Sequence, residues 1–564
     1  MAVGVHDDSA KRTFVAWMGE NSHPFVQAYD EDSKVWSAPK QVGNSPNPDS
    51  HHYPTLVQAA DGRLLVFYGA HNDTPLRLAR SPEAASIGGE WEDGELAEAP
   101  FASYPMPLVS ADGDIYVFYR ETSDRVDESL DNDVRPLLYV KSTDNGATWE
   151  NSQTLTGERY AIGSVDRPDS LDEIYVGQIT YEPATANRAE RFHFVWTIAG
   201  GGAGEAPKHD RYHRNLYYAY FQPGNEHFYS ADEKDLGVQI DNDEMEGEAK
   251  AVDTGEPKYA RGTPGFPGPD VGYTHTVQPL QNGDPLLIYN TQDGENGETK
   301  TIRAAQWRGK GWKTSVVAED QGLLDMEAAG PNGFRVYLAA REMPGIQIYT
   351  ANASGKWQEE TFISTPDSVQ RAVVINNYAD PFRLLITGNS DVKDQRIADR
   401  NIYVAGMGDI DGVTVEDPPP PPPPVDEEQV IEAEGASGQA AFSPLLVGED
   451  PEASGDSYIY TSEGLGNSTT SVPKDGLATY DVTVDGTVAV WLRVNFSDNG
   501  SNSFWIRSGD DSFGKIDDLD APEGWYWLKW TEKSDISSIT VARREDGAKL
   551  DRILVTTDLL FRPQ

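Results

Sequence analysis

The sequence contains no cysteine, which excludes disulfide bonds and thiolate chemistry. It contains no run of about 18 apolar residues, so a membrane-spanning helix is not expected. Basic residues are few, with 46 Lys and Arg against 92 Asp and Glu and a formal net charge of −46. Because phosphate recognition needs a basic surface, nucleic acid and anionic membranes are excluded as expected partners.

The acidic composition indicates a folded, salt-adapted protein rather than a disordered one. Disordered acidic segments contain few aromatic residues, whereas this chain has 13 Trp, 26 Tyr and 18 Phe. At about 1 M salt the screening length is roughly 3 Å, so repulsion between surface carboxylates largely disappears. We therefore expect a halophilic source. No signal peptide is recognisable, so secretion is an expectation and a cytoplasmic location stays open.

Seven consecutive prolines, Pro418–Pro424, mark the clearest domain boundary. Such a run forms a stiff polyproline II spacer of about 3.1 Å per residue. The length of 564 residues also favours more than one core. We predict a catalytic domain over 1–415, a linker over 416–428 and a β-sandwich over 429–564.

Before the linker, a short pattern repeats seven times. Each copy has a strand ending in aromatic residues, a second strand, a turn with Gly or Asp, and usually a Trp; Leu64–Tyr68, Leu76–Arg80 and Trp91 form the second copy. Without helical periodicity, seven copies predict an all-β, seven-bladed propeller. Ser142–Trp149 matches the Asp-box pattern S-x-D-x-G-x-x-W, which stabilises a turn and carries no chemistry.

The ten histidines are few enough for their positions to be informative. Two groups flank strands of the second copy, and Tyr and Arg residues occupy the equivalent strand ends of the third. Propellers bind ligands where strand ends and loops meet at one mouth of the channel. Histidines with purely structural hydrogen bonds are the alternative. We predict a site comprising His51, His52, His71, Asn72, Tyr119, Arg120 and Arg135.

A group of His, Tyr and Arg suits β-elimination from a uronic acid. That reaction needs a cation to neutralise the C5 carboxylate, a base for the C5 proton and an acid for the leaving O4. Arginine binds carboxylates in a bidentate manner, and Tyr or His can transfer the proton. The sequence therefore favours elimination over hydrolysis.

The stretch from His51-x-x-Pro54 through Gly69-x-His71-Asn72 to Arg135-Pro-Leu-x-Tyr139 resembles the BNR_4-type propellers, which include ulvan lyases and related rhamnose–glucuronate lyases. The resemblance implies that Tyr119 is base and acid, with His51 or His71 sharing a role, and that Arg135 neutralises the carboxylate. It leaves open whether Tyr119 or Arg120 faces the cleft, because successive strand residues point to opposite faces.

Residues 429–564 alternate in strand fashion. Ile431–Glu434, Trp491–Arg493, Asn502–Phe504 and Lys549–Ile553 resemble carbohydrate-binding modules of the family 6/35 type. In that family two glutamates and a late aspartate hold a structural calcium ion, and the matching residues are Glu432, Glu434 and Asp551. Trp525 and Trp527 are candidates for a sugar-stacking platform, with core packing as the alternative.

Further candidates for substrate binding are Tyr181, Arg214 and His275. Candidate ligands of a structural metal in the fourth copy are His193, His209 and His213. Loop or core roles are the alternative for each. No organic cofactor is expected. We predict a monomeric polysaccharide lyase acting on an anionic, uronate-containing glycan such as ulvan. Two alternatives stay open: a sialidase-type hydrolase, which the single full Asp box disfavours, and a non-catalytic carbohydrate-binding protein.

Overall fold

The computed structural model describes residues 2–123, 134–165, 167, 169–201, 210–256, 271–293, 299–329, 333–341, 343–352, 356–388, 401–406, 414–415, 428–484, 486–496, 500–518, 522, 524–534, 536–559, 561 and 563. The predicted linker, apart from its last residue, lies outside these ranges. The chain divides into two compact units, residues 1–418 and 419–564. Within the described residues, every helix is too short or too polar to cross a membrane.

Seven antiparallel sheets, which we number as blades 1 to 7, form the first unit. Blade 1 contains β1 (Ala2–Asp7), β2 (Arg12–Met18), β3 (Pro24–Asp30), β4 (Val35–Trp36) and β5 (Lys40–Gln41). Blade 2 contains β6 (Thr55–Gln58), β7 (Leu64–Tyr68), β8 (Arg77–Arg80) and β9 (Glu92–Glu95). Blade 3 contains β10 (Ala102–Val109), β11 (Ile115–Glu121), β12 (Leu137–Ser142) and β13 (Glu150–Asn151).

Blade 4 is the largest of the remaining sheets. It contains β14 (Glu173–Glu182), β15 (Arg191–Gly200), β16 (Tyr212–Gln222), β17 (His227–Tyr229), β18 (Asp235–Gly237) and β19 (Lys250–Val252). Blade 5 contains β20 (Val271–Pro279), β21 (Pro285–Asp293), β22 (Thr299–Trp307) and β23 (Trp312–Glu319). Blade 6 contains β24 (Gly322–Ala328), β25 (Gly333–Ala339), β26 (Gly345–Asn352) and β27 (Trp357–Ser364). Blade 7 contains β28 (Val369–Val374), β29 (Leu384–Gly388) and β30 (Ile402–Ala405). The short helices are Glu20–Ser22, Ser152–Thr156, Asn242–Glu244 and Met245–Ala249.

The seven sheets close into a ring. The first strand of each blade lies beside the first strand of the next, and β28 of blade 7 lies against β1 of blade 1. Val5 and Asn376 form a bridge across this junction. A late strand, β31 (Thr414–Val415), returns to blade 1 and pairs with β4 in parallel. The predicted seven-bladed propeller is confirmed.

The predicted repeats correspond to the second and third strands of the blades. β7, β11 and β15 are buried along their whole length, because each blade is covered on both faces by its neighbours. The Asp box also forms as predicted. The Asp144 carboxylate accepts hydrogen bonds from the amides of Ala147 (3.1 Å) and Thr148 (2.8 Å), Gly146 has a φ of +82°, and Trp149 packs edge-on against Phe67.

The second unit is a β-sandwich, as predicted. One sheet contains β32 (Glu428–Glu432), β33 (Leu446–Glu449), β34 (Ser457–Tyr460), β36 (Thr487–Asn495), β39 (Tyr526–Ser534) and β41 (Lys549–Thr556); the other contains β35 (Leu477–Asp481), β37 (Ser503–Ser508), β38 (Gly514–Asp517) and β40 (Ser538–Arg543). Two short helices, Ala433–Ala436 and Ser454–Asp456, complete it. Its core includes Val490, Leu492, Ile506 and Ile553, drawn from both sheets.

Candidate active site

Strand direction determines which residues share one end of the propeller. Neighbouring strands of a blade are antiparallel, so the start of the first strand, the end of the second and the start of the third lie together. We call the end of the propeller formed in this way the mouth. His51 precedes β6 and His71 follows β7, so both lie at the mouth.

A carboxylate holds the two histidines together. The imidazole rings of His51 and His71 stack with centroids 3.9 Å apart. The Nδ1 atoms of both rings lie 2.7 Å from the Asp49 carboxylate, each on a different oxygen. The His71 side chain is 16% exposed, whereas that of His51 is 46% exposed. His71 is therefore the more enclosed of the two.

Burial keeps His71 neutral. It lowers the pKa of the His71 imidazole to about 4, helped by the charges of His51 and Arg120 and opposed by Asp49. Burial raises the pKa of Asp49, but hydrogen bonds from the His51 amide and both imidazoles outweigh it and hold that pKa below its usual value. A carboxylate only accepts, so Nδ1 of neutral His71 carries the proton. Nε2 then carries a lone pair, and it makes no hydrogen bond to a described residue.

Tyr104 is brought into this group by an irregular strand. β10 bulges between Ser103 and Met106, and Tyr104 has a φ of +59°. For a residue other than glycine this conformation costs about 1–3 kcal/mol and is typical of functional positions. The bulge turns the phenol ring towards the histidines, with its centroid 6.1 Å from each imidazole. The ring of Tyr53 stacks on that of Tyr104, with the centroids 6.3 Å apart.

Arg120 adds a buried cation. Its side chain is 3% exposed, and its guanidinium lies 4.7 Å from the ring of Tyr104 and 4.4 Å from that of Tyr175. The terminal nitrogens Nη1 and Nη2 find no acceptor at hydrogen-bonding geometry within the described ranges. Both nitrogens are shielded from solvent, so Arg120 supplies positive charge beside the ring of Tyr104 rather than an open binding contact.

Arg135 and Glu173 complete the charged part of the site. Glu173 is fully buried, and one of its oxygens lies 3.9 Å from Nη1 of Arg120 and 3.8 Å from Nε of Arg135. Its other oxygen accepts the amide of Asp210 at 2.7 Å. Arg135 also donates to the side-chain oxygen of Asn72. One oxygen of Glu173 thus lies close to both guanidinium groups and holds them in place at the mouth.

The structure thus brings His51, His71, Asn72, Arg120 and Arg135 to the mouth. It corrects the role given to Tyr119, which is 1% exposed, lies in the core between blades 2 and 3, and donates to the Glu98 carbonyl at 3.3 Å. A phenol enclosed in this way does not fit a base or acid that must touch substrate. Of the pair left open in the sequence, Arg120 faces the site.

His52 is also misassigned as a substrate ligand. It is 1% exposed, and its Nδ1 lies 3.0 Å from the Asn47 carbonyl, an arrangement that anchors the loop before β6. Three residues that sequence reasoning did not assign belong to the site instead: Tyr104, Glu173 and Asp49. Of these three, only Asp49 could have been identified from the sequence, because it lies two residues before His51.

The remaining substrate-binding candidates lie elsewhere. Tyr181 is at the far end of β14, about 20 Å along the strand from Tyr175 at roughly 3.3 Å per residue. His275 is 1% exposed and links blade 5 to the Tyr175 carbonyl at 3.0 Å, and burial lowers its pKa to about 4. Arg214 lies at the mouth end of β16, but it pairs with Asp169 (3.6 Å) and Glu256 (3.2 Å).

The three histidines predicted as metal ligands in blade 4 do not come together as one described group. His193 lies near the start of β15 and bonds to Glu182 and Tyr218, whereas His213 lies at the opposite end of the blade and bonds to Asp210. They cannot share an ion, and His209 lies outside the described residues. In the described part of the chain, the ligand atoms of Asp49, His51 and His71 all lie within 4.8 Å of one another and could hold a metal.

The predicted calcium ligands lie around the Ala433–Ala436 turn and β41. Asp551 is fully buried and accepts from the Ser454 amide at 2.9 Å and from Arg493. One buried oxygen on each of Glu432 and Glu434 finds no hydrogen-bond donor within the described ranges. Burial and the neighbouring carboxylates raise the pKa of Glu434. Orphaned carboxylate oxygens of this kind fit a hard cation.

Comparison with known proteins agrees with the fold. The profile of the BNR repeat-containing family BNR_4 matches residues 12–319. An ulvan lyase of Alteromonas sp. (strain LOR) is 24% identical over 367 residues, covering 60% of this chain and 69% of its own. A PL25 ulvan lyase of Pseudoalteromonas sp. (strain PLSV) is 22% identical over 358 residues, covering 59% and 66%.

A solved structure shares the propeller fold. It is that of a PL25 ulvan lyase bound to -[GlcA(1-4)Rha3S]-, with a TM-score of 0.56 and 16% identity over 72% of this chain and 91% of that one. The family profile spans more than half of the 564 residues. The chain therefore belongs to the BNR repeat-containing family BNR_4.

Proposed function

We propose that this protein is a polysaccharide lyase that cleaves a uronate-containing polysaccharide such as ulvan by β-elimination. One observation carries the proposal: a neutral histidine with a free Nε2, a phenol and two guanidinium groups meet at the mouth. The two relatives named ulvan lyases support this substrate class.

The arginines prepare the substrate. The positive charges of Arg120 and Arg135 attract the C5 carboxylate of the uronate to this part of the mouth. Neutralising this carboxylate makes the C5 proton more acidic, because negative charge develops on it as the proton leaves. Glu173 holds both guanidinium groups in place, since one of its oxygens lies 3.9 Å from Arg120 and 3.8 Å from Arg135.

His71 and Tyr104 move the protons. Nε2 of His71 takes the C5 proton, the C4–O4 bond breaks, and a double bond forms between C4 and C5. The Tyr104 hydroxyl donates its proton to the leaving O4. Transfer of the proton from His71 to Tyr104 then restores both groups. Asp49 acts as a positioning residue, since it fixes the proton of His71 on Nδ1.

Hydrolysis is less compatible with this geometry. A glycosidase needs one carboxylic acid and one carboxylate free to act on the sugar. The carboxylates described above are committed, Asp49 to two imidazoles and Glu173, fully buried, to the arginines. Neither oxygen pair is available as an acid.

The test is incubation with ulvan and other uronate polymers, followed by ultraviolet absorbance of the unsaturated uronyl product. We expect absorbance to rise with the native protein and to fall about 10²–10⁴-fold in His71→Ala and Tyr104→Phe. Tyr119→Phe is the matched control, because it removes a buried hydroxyl and should keep most activity. New reducing ends without absorbance would indicate a hydrolase, and binding without either would indicate a lectin. Loss in Tyr119→Phe with full activity in Tyr104→Phe would overturn the assignment.

For the second unit we propose a carbohydrate-binding module with a structural calcium ion. Glu432 and Glu434 would hold the ion through their orphaned oxygens, with Asp551 beside them. Calcium would neutralise buried negative charge and stabilise this turn; it takes no part in the elimination. Trp525 is the favoured platform, being half-buried beside Tyr458 and Arg493. The halophilic and extracellular setting stays a prediction.

A further inference from the structure

A second group of cations lies at the mouth, on the blades opposite the histidines. Lys300 stands at the start of β22, the third strand of blade 5, where it is paired with Gln292. Arg341 follows the end of β25, the second strand of blade 6, and Arg371 lies near the start of β28, the first strand of blade 7. By strand direction, each of these positions is at the mouth end of its blade.

The three side chains lie at the mouth ends of three consecutive blades, 5, 6 and 7, so their positive charges act on one another. The pKa of Lys300 is lowered by burial first and then by the positive charges of Arg341 and Arg371. The group also borders the catalytic side of the mouth. Burial raises the pKa of Tyr53, which stacks on Tyr104, and both Arg371 and Arg120 oppose that rise.

Among the residues that the structure describes, no carboxylate pairs with Lys300, unlike other enclosed lysines. Lys141 lies within 3.1 Å of both Asp114 and Glu226, and Lys250 lies 2.7 Å from Glu246. The ammonium of Lys300, which is half-buried, has no carboxylate within ion-pair distance in the described ranges. This is unusual in a chain with 92 acidic residues and 46 basic ones. Within the described ranges, Arg341 forms an ion pair with Asp320, and both side chains are more than half exposed.

We infer that Lys300, Arg341 and Arg371 form a second oxyanion site, which binds a charged group of the polysaccharide away from the bond that is cleaved. The inference rests on the proposed function and extends it to substrate recognition. The ammonium of Lys300 is partly desolvated and lies near two guanidinium groups, and an anion that joins it would offset this cost. The group is either a sulfate ester or the carboxylate of another uronate, since both present oxygens of suitable charge.

The position of the site has a consequence for substrate length. The elimination site is built from blades 2 to 4, and the second site from blades 5 to 7, across the mouth. A glycan that occupies both must cross the mouth, so longer oligosaccharides should bind more tightly than the shortest cleavable one. The second site would then select chains that carry charge at a fixed distance from the cleaved linkage.

The experiment measures affinity without turnover. The full-length protein carrying His71→Ala is titrated with native ulvan and with chemically desulfated ulvan, alone and combined with Lys300→Gln. We expect Lys300→Gln to weaken binding of native polymer about tenfold, which corresponds to the loss of one charged contact. Lys310→Gln is the matched control, because Lys310 is an exposed lysine at the opposite end of blade 5, and it should leave affinity unchanged.

The desulfated polymer distinguishes the two anions. If sulfate is the ligand, desulfation and Lys300→Gln each weaken binding and are not additive. If a carboxylate is the ligand, Lys300→Gln weakens binding of both polymers. Equal affinity of Lys300→Gln and its parent for both polymers would overturn the inference. Arg341→Gln, at an exposed position, provides a second variant whose folding is not at risk, and it should weaken binding in the same way. Failure of the proposed function appears separately, as absence of unsaturated product from the native protein.

Discussion

Lowering the pH should inactivate the proposed lyase near pH 4 rather than near 6.5, because His71 can accept the C5 proton only while its Nε2 is unprotonated. Enclosure of the side chain, at 16% exposure, disfavours the charged imidazolium and lowers its pKa from 6.5 to about 4. The positive charges of His51 and Arg120 act in the same direction, and Asp49 opposes them. The imidazolium is thus destabilised by about 2–3 kcal/mol after partial solvent access is allowed for.

The lowered pKa of His71 also makes the free energy of unfolding depend on pH. The unfolded chain protonates His71 below about pH 6.5, whereas the folded chain resists protonation down to about pH 4. The contribution of His71 to stability is therefore complete above pH 6.5 and is lost as the pH falls towards 4. Any loss of activity in this range must be separated from unfolding.

The assay is kcat/KM for formation of unsaturated product between about pH 3.5 and 8, with tryptophan fluorescence recorded at each pH to confirm the fold. We expect a flat profile down to about pH 5 and an acid limb with a midpoint near 4. Asp49→Asn should lower kcat/KM at every pH, by about 10–100-fold as for other groups that orient a histidine. An acid limb near pH 6.5 in folded protein would refute the reasoning.

Two other predictions concern stability. Asp325 is buried on β24, and its carboxylate accepts from Gln178 (3.1 Å), the Met326 amide (2.8 Å) and the Val374 amide (2.8 Å), so it joins blades 4, 6 and 7. Burial raises its pKa to about 6, so native stability should fall by up to about 3 kcal/mol as the pH rises from about 4 through 6. Urea midpoints should show this loss in the native protein and not in Asp325→Asn, and an unchanged pH dependence in that variant would contradict the assignment. Chelation of calcium should lower the thermal midpoint of the full chain, and excess calcium at about 100 Kd should restore about 2.7 kcal/mol. Glu432→Gln should abolish the response, whereas the exposed Glu449→Gln should retain it.

The propeller was predictable because its second and third strands are dense in apolar and aromatic residues. β7 and β11 are enclosed on both faces, so the same apolar pattern recurs in each blade. The first strands were harder to find. β14 mixes polar and apolar residues and is only partly buried, since it lines the centre of the ring.

The site was predictable only where a residue type and a strand end coincide. His51 and His71 satisfied both conditions. Tyr104 did not, because the orientation of its side chain depends on a β-bulge and a positive φ, which the local sequence pattern does not predict. The choice between Tyr119 and Arg120 was fixed by tertiary packing, with Tyr119 filling the space between blades 2 and 3 and Arg120 turning towards Tyr175.

The two residues of β31 decide where this protein can be shortened. Thr414 and Val415 pair with Val35 and Trp36, so the first blade contains both ends of the catalytic unit. A fragment that stops after β30 would leave the edge of β4 unpaired, and unpaired edges invite association between chains. Expression of the catalytic unit alone should therefore extend at least to residue 415. During synthesis, the edge of β4 stays unpaired until these late residues have left the ribosome, so the completion of blade 1 is one of the last folding events of the unit.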